Sequence, residues 1–170
     1  MAENRTNKII IIIIMAILAV IIGTFAYLNA KGGIIEEGKI KLRAGNTVLG
    51  EITIADVKKL SAVNKKLVIN STSGLSKHEF TGTPLLEVLN HIDPEIVERY
   101  KKVYTKGTDN YVSGVNMEEV VEKNNVYLIY ADYGKPLPNK TGTGETMRII
   151  ILNDQFGQRF TNYLGELQFE

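Results

Sequence analysis

The chain of 170 residues contains no cysteine and no tryptophan, and it has only two histidines, His78 and His91. The absence of cysteine excludes disulfide bonds, thiolate metal sites, iron–sulfur clusters and cysteine nucleophiles. Two histidines also argue against a multi-histidine metal site or a haem site. We therefore predict no metal-ligating residues, and no motif in the chain identifies a catalytic residue.

An excess of charge of one sign is also lacking. Lysine and arginine number 20, aspartate and glutamate number 19, and the net charge is +1. Nucleic-acid-binding domains usually carry a clear basic patch or excess, so we expect no nucleic-acid partner. The length fits one domain with a short appendage, and it is sufficient to bury a hydrophobic core.

The appendage is an uncharged apolar run over residues 9–28, preceded by Arg5 and Lys8. A helix that spans a bilayer needs about 20 apolar residues, and flanking positive charges stay in the cytoplasm. A cleaved signal peptide is one alternative, although its apolar region usually has only ~7–15 residues. A buried core helix is the other.

The apolar run leads to a prediction of domain organisation and location. We expect a single-pass plasma-membrane protein with an extracytoplasmic C-terminal domain. Its segments are a cytoplasmic N-terminus (1–8), a transmembrane helix (9–28), a linker (29–38) and the extracytoplasmic domain (39–170).

The outer domain alternates short strand-like and helix-like segments, which indicates an α+β fold with mixed β-sheets and short helices. Strands are predicted over 39–43, 48–54, 65–70, 78–81, 100–105, 126–131, 147–152 and 163–169. Short helices are predicted to begin at capping residues Thr53, Thr83 (with Pro84 following) and Asn116, and another turn of helix is predicted over 94–99. The segments 71–74 and 133–144 are predicted to be loops.

The loop Thr141-Gly-Thr-Gly-Glu-Thr146 and the nearby Arg148 are a candidate anion site. Backbone N–H groups and hydroxyls of such a loop can bind a phosphate, and arginine adds a charged fork. The G-K-[ST] ending of a P-loop is missing. The alternative is a hairpin loop whose glycines permit positive φ. For Tyr111 the alternatives are a hydrogen-bond donor to an anion and a half-buried aromatic ring with a hydrated hydroxyl.

Three landmarks follow one another along the outer domain. They are Phe80-Thr-Gly-Thr-Pro-Leu-Leu-Glu-Val-Leu89, Thr108-Asp-Asn-Tyr111, and Tyr133-Gly-Lys-Pro-Leu-Pro138 with Gly144-Glu-Thr-Met-Arg148. Together they resemble the oxidoreductase molybdopterin-binding domain family, which has the sulfite-oxidase-type fold. The resemblance covers residues 38–170 and implies molybdopterin as the cofactor.

The chain departs from the family pattern at two informative positions. In the family's enzymes a cysteine ligates molybdenum just before the G-x-P-L element, and here Ser71 lies near that position. The proline of the G-x-P-x-R element is replaced by Thr146. Arg148 and Arg159 lie near the positions where the family has basic residues that hold the phosphate of the pterin. The cofactor-binding residues that the resemblance implies are Ser71, His78, Asp109, Tyr111, Thr141, Gly142, Thr143, Gly144, Arg148 and Arg159.

These observations leave three hypotheses open. The first is a degenerate module that keeps the family groove and binds a ligand or a partner protein. The second is a molybdopterin-dependent oxidoreductase with Ser71 as an unusual ligand, in which Arg148, Arg159 and the 141–146 loop hold the pterin and its phosphate. The third is an accessory subunit of a membrane redox complex.

Overall fold

The apolar run near the N-terminus forms a long helix. In the computed structural model, which describes residues 2–31, 38–71 and 74–170, helix α1 spans Ala2–Lys31. Its segment Lys8–Tyr27 has a mean hydropathy of 3.2 and none of it is buried. The helix is therefore long and apolar enough to cross a membrane. The chain divides into two units, Met1–Ile34 and Ile35–Glu170.

The second unit contains two five-stranded sheets among its described residues. The first sheet has the order β2-β1-β10-β5-β6. Its strands are β1 (Lys39–Ala44), β2 (Thr47–Thr53), β5 (Lys102–Gly107), β6 (Val112–Asn116) and β10 (Leu164–Phe169). Strands β1 and β10 are parallel, with Lys41 opposite Glu166, and the other pairs in this sheet are antiparallel.

The second sheet is centred on a strand that is buried along most of its length. It contains β3 (Val63–Ser71), β4 (Gly74–Pro84), β7 (Val126–Asp132), β8 (Lys135–Pro136) and β9 (Arg148–Ile151). The central strand β7 pairs with β4 along one edge and with β8 and β9 along the other, all antiparallel. A continuous apolar run is typical of such a doubly covered strand.

Short helices connect the sheets. They are α2 (Ile54–Val57), α3 (Leu85–Ile92), α4 (Ile96–Arg99), α5 (Met117–Val121) and a 3-10 turn at Gly157–Arg159. The predicted helix caps at Thr53 and Asn116 are confirmed, and each forms a capping box, Thr53 with Asp56 and Asn116 with Glu119. One apolar cluster, which includes Phe80, Leu89 and Ile149, joins elements of both sheets and the helices.

The prediction that Thr83 caps α3 is wrong. Strand β4 continues through Pro84, and Thr83 lies opposite Leu128 of β7. The helix begins at Leu85 with Pro84 in the cap position and no side-chain cap bond. The Thr83 hydroxyl is fully buried and has no hydrogen-bond partner among the residues that the structure describes.

Strand β6 is absent from the strands predicted above, although it pairs with β5 over its whole length. It begins after a turn in which Asn110 has φ +68°, and asparagine tolerates this left-handed conformation. Glycine and asparagine, here Gly114 and Asn116 of β6, are rare in strands, which hides the strand in the sequence.

Gly82 allows β4 to approach β7 closely. A β-bulge lies between Thr81 and Gly82. A Cβ atom on Gly82 would lie 2.8 Å from the Ile129 Cα and would overlap the Leu128 carbonyl oxygen. The glycine of the G-x-P-L element is therefore required by the packing of two strands.

Candidate functional site

A row of three side chains on β4 forms the centre of the candidate site. Ser76, His78 and Phe80 alternate along the strand, so they project from the same face. The imidazole of His78 stacks on the Phe80 ring, with centroids 4.8 Å apart and planes inclined by 6°. The Ser76 Oγ lies 2.9 Å from His78 Nε2. The row therefore holds one imidazole between a hydroxyl and an aromatic ring.

Asp132, the last residue of β7, completes this arrangement from the neighbouring strand. It lies opposite Phe80 in the β4–β7 register. Its Oδ2 is 2.6 Å from His78 Nδ1, and its Oδ1 accepts a 3.1 Å hydrogen bond from the Glu79 backbone N–H. The side chains of His78 and Asp132 are 21% and 23% exposed to solvent. Solvent therefore reaches both groups.

Arg148, the first residue of β9, lies on the other side of Phe80. Its guanidinium carbon is 5.6 Å from the Phe80 ring centroid. It makes no side-chain hydrogen bond or ion pair with the described residues. Burial lowers the pKa of Arg148, and the charge of Asp132 opposes this shift. A largely buried cation without an ion pair is costly, and it favours the binding of an anion.

A groove of about 310 Å³ runs beside His78. It is lined by Lys66, Leu67, Val68, Lys77, His78, Glu79 and Tyr133. The Tyr133 hydroxyl donates a 3.0 Å hydrogen bond to the Lys77 carbonyl, which holds this exposed ring at the edge of the groove. The groove therefore offers apolar walls with lysines nearby.

The predicted site residue Ser71 lies at the end of β3, in register with Gly74. Residues 72 and 73 of the same predicted loop lie outside the described residues. Gly157 of the 3-10 turn lies close to Ile69 of β3, since a Cβ atom added to Gly157 would be only 3.0 Å from the Ile69 Cγ2. The β3–β4 hairpin therefore contacts the 3-10 turn.

Asp109 and Tyr111 belong to the turn between β5 and β6. The Asp109 carboxylate accepts a 3.1 Å hydrogen bond from the Tyr111 backbone N–H, so it stabilises its own turn. The Tyr111 hydroxyl donates to the carbonyl of Gln158. Tyr111 therefore contacts the 3-10 turn, and the contacts of its hydroxyl and backbone do not include His78.

Arg159 is fully engaged by two carboxylates. Its Nε donates to Asp154 Oδ2 at 2.9 Å, and its Nη2 donates to Glu119 Oε1 at 2.8 Å. These bonds raise the pKa of Arg159 and lower the pKa of Glu119. The side chain thus ties the 3-10 turn to α5, and its charge is neutralised within the protein.

The segment 141–144 folds around Asn139. The Thr141 hydroxyl and the Thr143 backbone N–H both donate to the Asn139 Oδ1, at 3.1 and 2.9 Å. Gly142 has φ +75°, and the Gly144 carbonyl accepts from the Asn139 backbone N–H. The loop between β8 and β9 is therefore held by several internal bonds and by an isolated bridge between Pro138 and Glu145.

Among the described residues of the predicted site, the structure brings His78 and Arg148 to either side of Phe80. Tyr111 and Arg159 both contact the segment around the 3-10 turn, and Thr141–Gly144 form a separate loop. Neither Ser76 nor Asp132 is placed beside His78 in the sequence analysis. The signal for Ser76 is its spacing of two from His78 on a strand. The signal for Asp132 is its position directly after a buried strand.

Comparisons with known proteins agree on the fold. Residues 51–170 match the family described as the oxidoreductase molybdopterin binding domain. The crystal structure of the sulfane dehydrogenase SoxCD from Paracoccus pantotrophus is similar, with a TM-score of 0.61 and 17% sequence identity. The similarity covers 81% of this chain but only 40% of that chain. No curated protein sequence matches the chain.

Proposed function

Because the chain belongs to the oxidoreductase molybdopterin-binding domain family, we propose that it is a membrane-anchored, extracytoplasmic member that has lost the metal chemistry. In this proposal the domain keeps the family fold and binds an anionic ligand next to Arg148. The observation that carries the proposal is the partly buried guanidinium of Arg148, which has no ion pair with the described residues.

The residues of the chain do not fit a molybdenum centre. The chain has no cysteine to supply a thiolate. A serine hydroxyl, as at Ser71, is a harder and far more basic ligand than a thiol, so it does not replace one. The described residues also contain no group of three or more histidine, aspartate or glutamate side chains that could hold a metal ion. We therefore propose no reaction step that uses the metal.

The two arginines near the expected pterin-binding positions differ in availability. Arg159 is neutralised by Asp154 and Glu119. Arg148 lies against the ring of Phe80 and near Asp132 and Tyr163, and it forms no ion pair with the described residues. An anion placed against Arg148 would form charge-assisted hydrogen bonds and would offset the cost of burying the cation. This contrast supports an anion-binding role for the Arg148 side of the site.

The membrane assignment rests on α1 and on the charges that precede its apolar segment. Arg5 and Lys8 favour a cytoplasmic N-terminus. With this orientation the domain over residues 39–170 lies outside the plasma membrane.

The test of the proposed function uses the full chain, purified in detergent from a host that makes molybdopterin. We expect no stoichiometric molybdenum by elemental analysis and no cofactor absorption. We expect inorganic pyrophosphate to bind in calorimetric titrations. Arg148→Met should abolish binding, whereas the control Arg99→Met should retain it, because Arg99 already pairs with Asp93 and Glu95 on the surface. Near-stoichiometric molybdenum would overturn the proposal.

A membrane redox protein is the partner class that we propose. Support comes from the similar solved structure, which is the sulfane dehydrogenase SoxCD. Affinity capture of the full chain with α1 intact, from native membranes, should enrich a redox subunit that is absent when a version without residues 1–31 is used. Equal recovery with both versions would refute an anchor-dependent partner.

A further inference from the structure

Ser76, His78 and Asp132 form a continuous hydrogen-bonded chain that the proposed anion binding does not use. The two contacts are 2.9 Å between Ser76 Oγ and His78 Nε2, and 2.6 Å between His78 Nδ1 and Asp132 Oδ2. We propose that Ser76 is a nucleophile for small carboxylic esters, with His78 as its general base and Asp132 as the positioning residue of the base. This inference goes beyond the proposed function, and it holds whether or not an anion binds at Arg148.

The contacts define the tautomer of the neutral imidazole. An ionised carboxylate only accepts hydrogen bonds, so the Asp132 contact requires the hydrogen on Nδ1 of His78. The lone pair of Nε2 then faces the Ser76 hydroxyl, which donates to it. A base that is hydrogen-bonded to a hydroxyl and oriented by a third group is the arrangement that activates a serine.

The base is held in place by contacts that do not involve the serine. The His78 ring stacks on Phe80, and the Asp132 carboxylate accepts the Glu79 backbone N–H. These contacts fix the ring plane and the carboxylate before any ligand binds. Ser76 itself is exposed, so an electrophile can approach its Oγ from solvent.

The groove beside His78 is not the binding site for the ester, because its lining does not include Ser76. Lys66, Val68, Lys77 and Glu79 line the groove, and they occupy strand positions that face away from the row of Ser76, His78 and Phe80. Ser76 is exposed, so a small ester reaches its Oγ directly from solvent.

The reaction balances with water as the only second reactant. The Ser76 Oγ attacks the carbonyl carbon while its proton moves to His78 Nε2. The bond to the leaving alkoxide breaks, and the alkoxide takes the proton from Nε2. Water then attacks the acyl-serine, gives a proton to Nε2, and releases the carboxylic acid as Ser76 recovers its proton.

A covalent probe tests the nucleophile. The full chain in detergent is treated with a fluorophosphonate, and the modified residue is mapped by mass spectrometry. We expect phosphonylation at Ser76, none in Ser76→Ala, and unchanged labelling in the exposed control Ser61→Ala. By analogy with other serine–histidine–aspartate sites, Asp132→Asn should slow labelling by about 10²–10⁴-fold. A wild-type rate no higher than that of Ser76→Ala would overturn the proposal.

A spectroscopic readout separates positioning from simple structural support. In the Asp132→Asn variant the new amide can keep the bond to the Glu79 N–H through its oxygen, while its N–H₂ group faces His78 Nδ1 and moves the ring hydrogen to Nε2. With His91→Gln as background, His78 is the sole histidine, and its ¹⁵N resonances report the tautomer. We expect the Nδ1–H form in the parent and the Nε2–H form in the variant, with equal melting temperatures. The Nε2–H form in the parent would refute the assignment.

Discussion

Replacing Thr83 by valine should stabilise the protein. Thr83 is 0% exposed, and its hydroxyl has no hydrogen-bond partner among the described residues. A buried polar group without a partner costs about 1–3 kcal/mol, and an apolar group of the same shape removes that cost. Part of the gain is lost if the new methyl packs imperfectly. We therefore expect about 1 kcal/mol of added stability, which corresponds to a rise in Tm of about 3–5 °C for a domain of this size.

A matched control comes from two other fully buried threonines, Thr105 and Thr161. The hydroxyls of Thr105 and Thr161 share a hydrogen bond, and both residues are 0% exposed. Thr105→Val removes one partner and leaves the other hydroxyl unpaired, which should cost about 1–3 kcal/mol. The same chemical change should therefore have opposite signs at Thr83 and Thr105, because only one of the two hydroxyls is satisfied.

The assay is denaturant and thermal unfolding of the full chain in detergent. Near-ultraviolet circular dichroism reports tertiary packing around the eight tyrosines. The far-ultraviolet signal is less suitable, because the long helix α1 contributes strongly to it. If Thr83→Val destabilises the protein as much as Thr105→Val does, the Thr83 hydroxyl makes a bond in solution and the reasoning is refuted.

Three further predictions concern packing, pH and topology. Gly82→Ala should lower the free energy of unfolding by about 1–3 kcal/mol, because its Cβ would meet the β7 backbone; an unchanged Tm would contradict this. The pKa of Glu119 is lowered in the folded state, mainly by its hydrogen bond with Arg159. The ionised Glu119 therefore stabilises the fold at pH values above the ordinary glutamate pKa, and this stabilisation is lost as the pH falls through the lowered pKa. Arg159→Met should therefore cost roughly 1 kcal/mol near neutral pH, and on acidification below the ordinary glutamate pKa the variant should lose less stability than the wild type; parallel pH profiles would refute the assignment. Because the chain has no cysteine, single variants Asn4→Cys and Lys140→Cys can report topology in intact cells: an impermeant maleimide should label only Lys140→Cys, and labelling of Asn4→Cys would contradict the proposed orientation.

The parts of the fold that depend on neighbouring residues could be predicted from the sequence. The capping boxes at Thr53 and Asn116 involve residues three apart, and the buried strand β7 is a continuous apolar run. Thr83 misled the prediction, because a threonine before a proline is typical of a helix start, whereas here the pairing of β4 with β7 overrides the local preference. Tertiary contacts routinely override local propensity in this way.

The candidate site could be predicted only in part, because its contacts join distant residues. His78 and Asp132 are 54 positions apart, and the register of β4 with β7 brings them together. Arg159 resembled a phosphate-binding residue in the sequence, yet it pairs with Glu119, 40 positions away. The sequence position of an arginine does not show whether a carboxylate from a distant part of the chain already pairs with its guanidinium.

The bulge between Thr81 and Gly82 has a consequence for how this domain can diverge. Side chains along a strand alternate with a period of two, so a bulge resets which residues face which side. The extra residue lies in β7, because Thr81 is opposite Ala131 and Gly82 is opposite Ile129, which leaves Tyr130 without a partner position in β4. Loss of Tyr130 would turn Asp132 to the opposite face of β7 and separate it from His78. Insertions and deletions of single residues at this bulge should therefore be rare among related domains. The β3–β4 hairpin can instead change in length by pairs of residues, because such a change leaves Ser76, His78 and Phe80 on the same face of the sheet.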